Sequence, residues 1–309
     1  MSEMKKTNKQ FLSELSIEKK SGLAFSSAVI LPVLLATLFI ALAQGAGWMK
    51  GDFSTKDWYL YANFLLSSVS FSLIILFFLT YVKTYVKDVF GKTDWKYFLI
   101  AFLLQIGLLS LSEVNGLFLQ FLGKFGYEST PILLPSVEGF GFVGVLLVVG
   151  VLPVFAEEGI FRGIMMGGLR SFGQWGAILI SGATFALFHQ NPAQTVYQFI
   201  CGTLYALIAY RAKSALPTMF AHFINNGLII LLYKFGVETY PTQVFIPLMI
   251  VSALCLVGTI VYLLVFDKKK EETPLVQEQK ADKKGFFLCA AVGLLLCLIN
   301  WVSALISGF

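Results

Sequence analysis

Long apolar runs alternate with short polar connections along this chain. The runs lie near 22–44, 58–82, 97–122, 144–169, 174–190, 195–210, 214–234, 242–266 and 285–307. Several hold more than 18 residues without a charge, enough for a helix to cross roughly 30 Å of hydrocarbon. The pattern predicts an all-α fold, a polytopic transmembrane helical bundle of eight or nine spans. Nine is the count adopted here, with 195–210 the shortest. No repeat organises the runs. The first is long for a signal peptide and ends in no small-residue cleavage site, so it reads as a retained helix.

Composition fits this reading. Apolar residues make up 57% of the 309 positions and charged residues 13%, about half the share usual in soluble domains. The net charge of +5 is no sign of nucleic-acid binding, because the lysines sit between the runs, where they set orientation. With the N-terminus in the cytoplasm, eighteen Lys and Arg fall in inside segments and four (Lys50, Lys56, Lys124, Lys234) in outside ones. Cytoplasmic loops carry such an excess. The expectation is a multi-pass cell-membrane protein with a cytoplasmic N-terminus and an external C-terminus. The segment Asp267–Lys284 is a polar cytoplasmic linker, and the helix after it is expected to be peripheral. Cys201, Cys255, Cys289 and Cys297 lie in apolar stretches without ligand spacing and read as small buried residues.

Ionisable residues inside the apolar runs carry the functional signal. Each is disfavoured at mid-bilayer by roughly 3 kcal/mol and is by default a candidate site residue. The fourth run contains Glu157, Glu158 and Arg162. Glu158 and Arg162 stand at i, i+4, the spacing of an ion pair on one helical face, whereas Glu157 is rotated by about 100°. One carboxylate therefore reads as structural and the other as free for chemistry. The chain's two histidines, His189 and His222, both fall in runs, and Asn226 follows His222 at i+4. At about 1.5 Å per residue, Glu157, His222 and His189 lie roughly 18, 13 and 23 Å from the cytoplasmic ends of their helices. They are expected to meet near mid-membrane below a cavity open to the cytoplasm, with Glu157 in hydrogen-bond reach of His189, directly or through one water. Glu113, in the third run, is expected to make a structural hydrogen bond.

The series Glu157-Glu158-x-x-x-Arg162, Phe185-x-x-x-His189 and His222-x-x-x-Asn226, spread over 140–232, resembles the CPBP family of intramembrane endopeptidases. That family includes the CAAX prenyl proteases and bacterial proteins first called abortive-infection or bacteriocin-immunity proteins. The resemblance divides the chain into an N-terminal tail with three helices (1–137), a catalytic core (138–234), and C-terminal helices with the linker 267–284 (235–309). It implies hydrolysis of a peptide bond by glutamate-activated water. Glu157 would be the base, oriented by His189; His222 and Asn226 would donate to the oxyanion; Glu158 and Arg162 would hold the helix in register. The implied partners are the lipid bilayer and a membrane-embedded or peptide substrate, such as a peptide pheromone, a leader or a small membrane protein. No nucleic acid is implied.

Other readings compete. Glu157, His189 and His222 are a chemically reasonable zinc set, but the HExxH spacing is absent, and a mechanism with no cofactor is favoured. A non-catalytic membrane partner, regulating a sensor or conferring bacteriocin immunity, would tolerate Glu157→Gln. A transporter would use the same groups as a proton relay, but repeats of the kind many transporters carry are lacking.

Overall fold

The computed structural model describes residues 14–82, 89–129, 133–237, 240–267 and 281–309. All nine predicted runs are helical. They are α1 (Ile17–Gly45), α2 (Asp57–Phe77), α3 (Lys96–Gly123), α4 (Gly141–Phe172), α5 (Gln174–Phe188), α6 (Thr195–Ala212), α7 (Leu216–Lys234), α8 (Thr242–Val261) and α9 (Lys283–Ser307). Seven of them, all but α5 and α6, are long and apolar enough to cross a membrane. The protein is therefore a polytopic helical bundle. α1 begins five residues before its apolar run, because the Ser16 hydroxyl caps it by accepting from Lys19 N (3.2 Å).

Side-chain contacts sort the helix ends onto two faces. Ser16 donates to Asp282 (3.0 Å) and Lys96 pairs with Asp267 (2.7 Å). Arg170 donates to the carbonyls of Ala209 and Tyr210, and Phe98 meets Phe220. These contacts gather the starts of α1, α3, α7 and α9 with the ends of α4, α6 and α8. On the opposite face Asp57 accepts from Ser136 N, Glu128 N donates to Gly308 O, and Lys234 donates to Val137 O. Successive helices thus run in opposite directions, as the alternation of charged connections requires. Among the described residues Lys19, Lys20, Lys92, Lys96, Arg170, Arg211, Lys213, Lys283 and Lys284 belong to the first, lysine-rich face. The rest of that count, and most of the linker 267–284, lies outside the described residues.

One buried core draws on α1 to α7 and reaches Leu263, Phe286 and Cys297. Small residues allow the tightest crossings. A Cβ on Gly22 would lie 2.3 Å from Phe286 O, and one on Gly182 2.2 Å from Thr203 Oγ1; such close approach is how helices associate where no hydrophobic drive exists. α9 lies along α1 and leaves its other sides exposed, a peripheral position as expected. It is also tied by hydrogen bonds to the connection between α5 and α6. Cys201 and Cys297 are buried, Cys255 and Cys289 partly so, and all four are free thiols.

Candidate active site

The site is built on α4, whose winding departs from the α-helix on both sides of the glutamates. Leu146–Val151 and Gly159–Met165 are π-helical, flanking Leu152–Glu158; such widened turns recur at functional sites. Pro153 is one local cause. It has no N–H to return to the carbonyl four residues earlier. That carbonyl, Val149 O, accepts instead from Asn226 Nδ2 of α7 (3.1 Å). A backbone group left without its helical partner in a membrane needs another, and Asn226 supplies it.

Glu158 and Arg162 pair as the i, i+4 spacing predicts, at 3.1 Å and with no exposed side-chain surface. The guanidinium also donates from Nη2 to Gly202 O (3.2 Å) and lies 4.0 Å from the centroid of the Phe185 ring, close enough for a cation–π contact. Gly202 admits this approach: a Cβ there would lie 3.0 Å from the Phe185 ring and 3.3 Å from Nη2. Glu158 Oε1 has a second partner, His222 Nδ1, at 3.0 Å. A carboxylate only accepts hydrogen bonds, so that contact requires the proton on Nδ1. Glu158 is thus held between Arg162 and His222.

Glu157 differs. Among the described residues it has no hydrogen-bonding or ion-pair partner, and it lines a cavity of about 640 Å³ together with His189, His222, Asn226 and Tyr205. His189 follows the last residue of α5, and its Nδ1 donates to Phe185 O (2.8 Å), which leaves Nε2 as the acceptor in the neutral ring. No direct hydrogen bond joins Glu157 to His189, but both border the same space. All four residues expected to form the centre therefore meet at one cavity, and Glu158 and Arg162 lie behind its wall.

Two expectations are corrected. The cavity does not open toward the lysine-rich face. Its lining includes Leu134, Gln194 and Tyr233, all at the opposite face. Glu113 is exposed and makes no hydrogen bond or ion pair with a described residue, because it sits on the outward side of α3. The structure also adds residues that the motif reading passed over. Tyr205 of α6 donates to Gln105 Oε1 (2.5 Å), Gln105 Nε2 donates to Asn225 Oδ1 (2.9 Å), and Asn225 Nδ2 donates to Asn226 Oδ1 (3.2 Å). This relay joins α3, α6 and α7 behind Asn226. Gln105 had one visible signal: it is the single amide in the charge-free stretch 97–112.

Residues 139–228 match the family model described as type II CAAX prenyl endopeptidase, Rce1-like. The match agrees with the resemblance to CPBP and CAAX proteases, and the matched stretch contains Glu157, Glu158, Arg162, His189, His222 and Asn226. It supports CAAX-type intramembrane endopeptidase activity in general. No curated protein and no solved structure matches the chain. The matched segment begins after α3 and ends within α7, so Gln105 and the whole of α9, which contact the site or its supports, lie outside it. Among the described residues no three His, Cys, Asp or Glu side chains are grouped to share a metal ion.

Proposed function

We propose that this chain is an intramembrane endopeptidase in which Glu157 activates the attacking water. The observation that carries this reading is the division of labour between adjacent carboxylates. Glu158 is sequestered by Arg162 and His222, while Glu157 faces the cavity without a hydrogen-bonding or ion-pair partner among the described residues. A water between Glu157 and His189 Nε2 would meet two acceptors. It would give a hydrogen bond to each and keep its lone pairs for a substrate carbonyl. As the water oxygen bonds to the carbonyl carbon, one proton passes to Glu157 and the carbonyl oxygen becomes an oxyanion. When the C–N bond breaks, Glu157 returns that proton to the leaving amine, the usual exchange of base and acid roles.

The oxyanion needs donors already in place. One N–H of Asn226 is taken by Val149 O, which leaves the other for the oxyanion. His222 donates from Nε2 only when protonated on both nitrogens. In that state Glu157, Glu158, Arg162 and His222 together carry no net charge, which suits a water-poor site. The matching test is comparative peptidomics of cells carrying wild type or Glu157→Gln at equal protein level. Peptides that disappear with Glu157→Gln are the products. A peptide pattern indifferent to Glu157 would leave a non-catalytic membrane partner as the better account.

A further inference from the structure

We infer that the cavity takes its substrate from the extracytoplasmic side, and that the substrate is an uncharged, membrane-inserted peptide stretch cut near the middle of the bilayer. The substrate class rests on the proteolytic reading; the direction of access does not. Glu157, Tyr205 and His222 form the floor of the cavity, and from there its lining runs to Leu134, Gln194 and Tyr233. Those last three lie at the ends of α4, α6 and α7 that are remote from Ser16, Lys96 and Asp282. In the other direction the way is closed. Leu169, Ile208, Ala212, Ala215 and Met219, all buried to 4% exposure or less, fill the bundle between the site and the lysine-rich face. Arg170 ties α4 to the carbonyls of Ala209 and Tyr210 there.

Eighteen Lys and Arg on one side against four on the other make the lysine-rich face cytoplasmic. The mouth is then external. Among the described residues the lining contains no Lys, Arg or Asp, and Glu157 is its single carboxylate. A charged peptide stretch would find no counter-ion there beyond the catalytic groups, and burying it would be strongly unfavourable. The side-chain amides of Gln194 and Gln198 instead offer partners to a peptide backbone. From Tyr233 toward the mouth to His222 at the floor is eleven residues of α7, about 16 Å at 1.5 Å per residue. An extended substrate needs roughly five residues to span that depth at about 3.3 Å each. The occupant is therefore an unwound, uncharged stretch of about that length, as at the external end of a membrane anchor or a translocated leader.

Accessibility tests the direction independently of catalysis. In a full-length background with the four native cysteines replaced, single cysteines are introduced as Ser67→Cys and Gln198→Cys in the cavity, Lys56→Cys on the lysine-poor face and Lys92→Cys on the lysine-rich face. A membrane-impermeant maleimide added to intact cells should label Lys56→Cys and both cavity positions, and should reach Lys92→Cys only in inverted vesicles. Cavity cysteines labelled only from inverted vesicles, or only in detergent, would overturn the inference, as would Lys92→Cys labelled in intact cells. A second arm maps the cleavage sites of peptides lost with Glu157→Gln. They should fall near the middle of membrane segments, within uncharged stretches that continue to the external end; cuts outside membrane segments or within charged stretches overturn the proposed substrate. If no peptide depends on Glu157, the proteolytic reading and its substrate class fail, while external labelling of the cavity still upholds the direction of access.

Discussion

Glu157 and Glu158 are neighbours in sequence with opposite surroundings, so their amide substitutions should fail differently. Glu157→Gln keeps shape and volume at a position that faces the cavity, and its expected outcome is loss of all cleavage with a normal level of inserted protein. Glu158→Gln takes the ionised partner away from both Arg162 and His222. Breaking a buried pair on one side typically costs about 3–5 kcal/mol, which should appear as a lowered melting temperature in detergent together with lost activity. Adding Arg162→Met to Glu158→Gln removes the stranded charge and should recover part of the stability but none of the cleavage. A stable, inactive Glu158→Gln protein would reverse the assignment. The two surroundings were legible in the sequence because helical spacing alone pairs residue 158 with 162 and turns 157 aside. What spacing did not reveal was that His222 also turns to Glu158, since that contact joins residues 64 positions apart.

Along α4 and α7 a single interhelical hydrogen bond takes the place of one that proline deletes, and this can be tested as a cycle. Asn226→Ala leaves the part-buried Val149 O without its donor, and an unsatisfied carbonyl costs up to about 1–3 kcal/mol. Pro153→Ala restores a main-chain N–H to that turn. The double variant Pro153→Ala, Asn226→Ala should therefore be more stable than Asn226→Ala alone while remaining inactive, because the oxyanion donor proposed above is still missing. Thermal unfolding in detergent and the yield of Glu157-dependent peptides read the two effects separately. If the double variant is no more stable than the single one, Val149 O has another donor and Asn226 is not a structural tie. Crossing α5 over α6 makes a second demand. A side chain at Gly182 would meet Thr203 at its hydroxyl and, at 2.9 Å, its backbone nitrogen. Gly182→Leu should destabilise by at least the roughly 1–3 kcal/mol of core overpacking and shift His189, which α5 carries. The nine apolar runs located these helices, yet Gln105, Tyr205 and Asn225 escaped notice. Uncharged polar side chains are cheap enough in membrane helices to occur without function, and only the fold brings Gln105 to a tyrosine 100 positions away.

Over the whole molecule, the part of the chain least marked by sequence turns out to brace the site. α9 carries no ionisable residue after Lys284, which makes it read as peripheral, and most of its surface is indeed exposed. Immediately after His189, however, Gln190 adopts a left-handed backbone with φ 51°, a conformation that non-glycine residues rarely hold without support. α9 provides that support. Asn300 Nδ2 donates to Gln190 Oε1 (2.8 Å), the Gln190 amide reaches Cys297 Sγ (3.8 Å), and Trp301 Nε1 donates to Thr195 Oγ1 (2.7 Å) at the start of α6. With the brace removed, His189 loses the fixed position a bound water requires. Misplacing a catalytic group by about 1 Å costs on the order of 100-fold in rate, so the combined change Asn300→Leu, Trp301→Phe should lower product yield by roughly 10-fold or more. Neither residue touches the cavity, and the pair lies at an exposed edge of the bundle, so protein level and melting temperature should change little. Gln190→Gly distinguishes bracing from mere proximity. Glycine adopts the left-handed conformation without support but loses both side-chain ties to α9. If conformation alone sets His189, Gln190→Gly should keep wild-type activity; if the tie to α9 sets it, Gln190→Gly should match the Asn300→Leu, Trp301→Phe variant. The second outcome is expected, because the tie fixes where the loop sits as well as how its backbone turns.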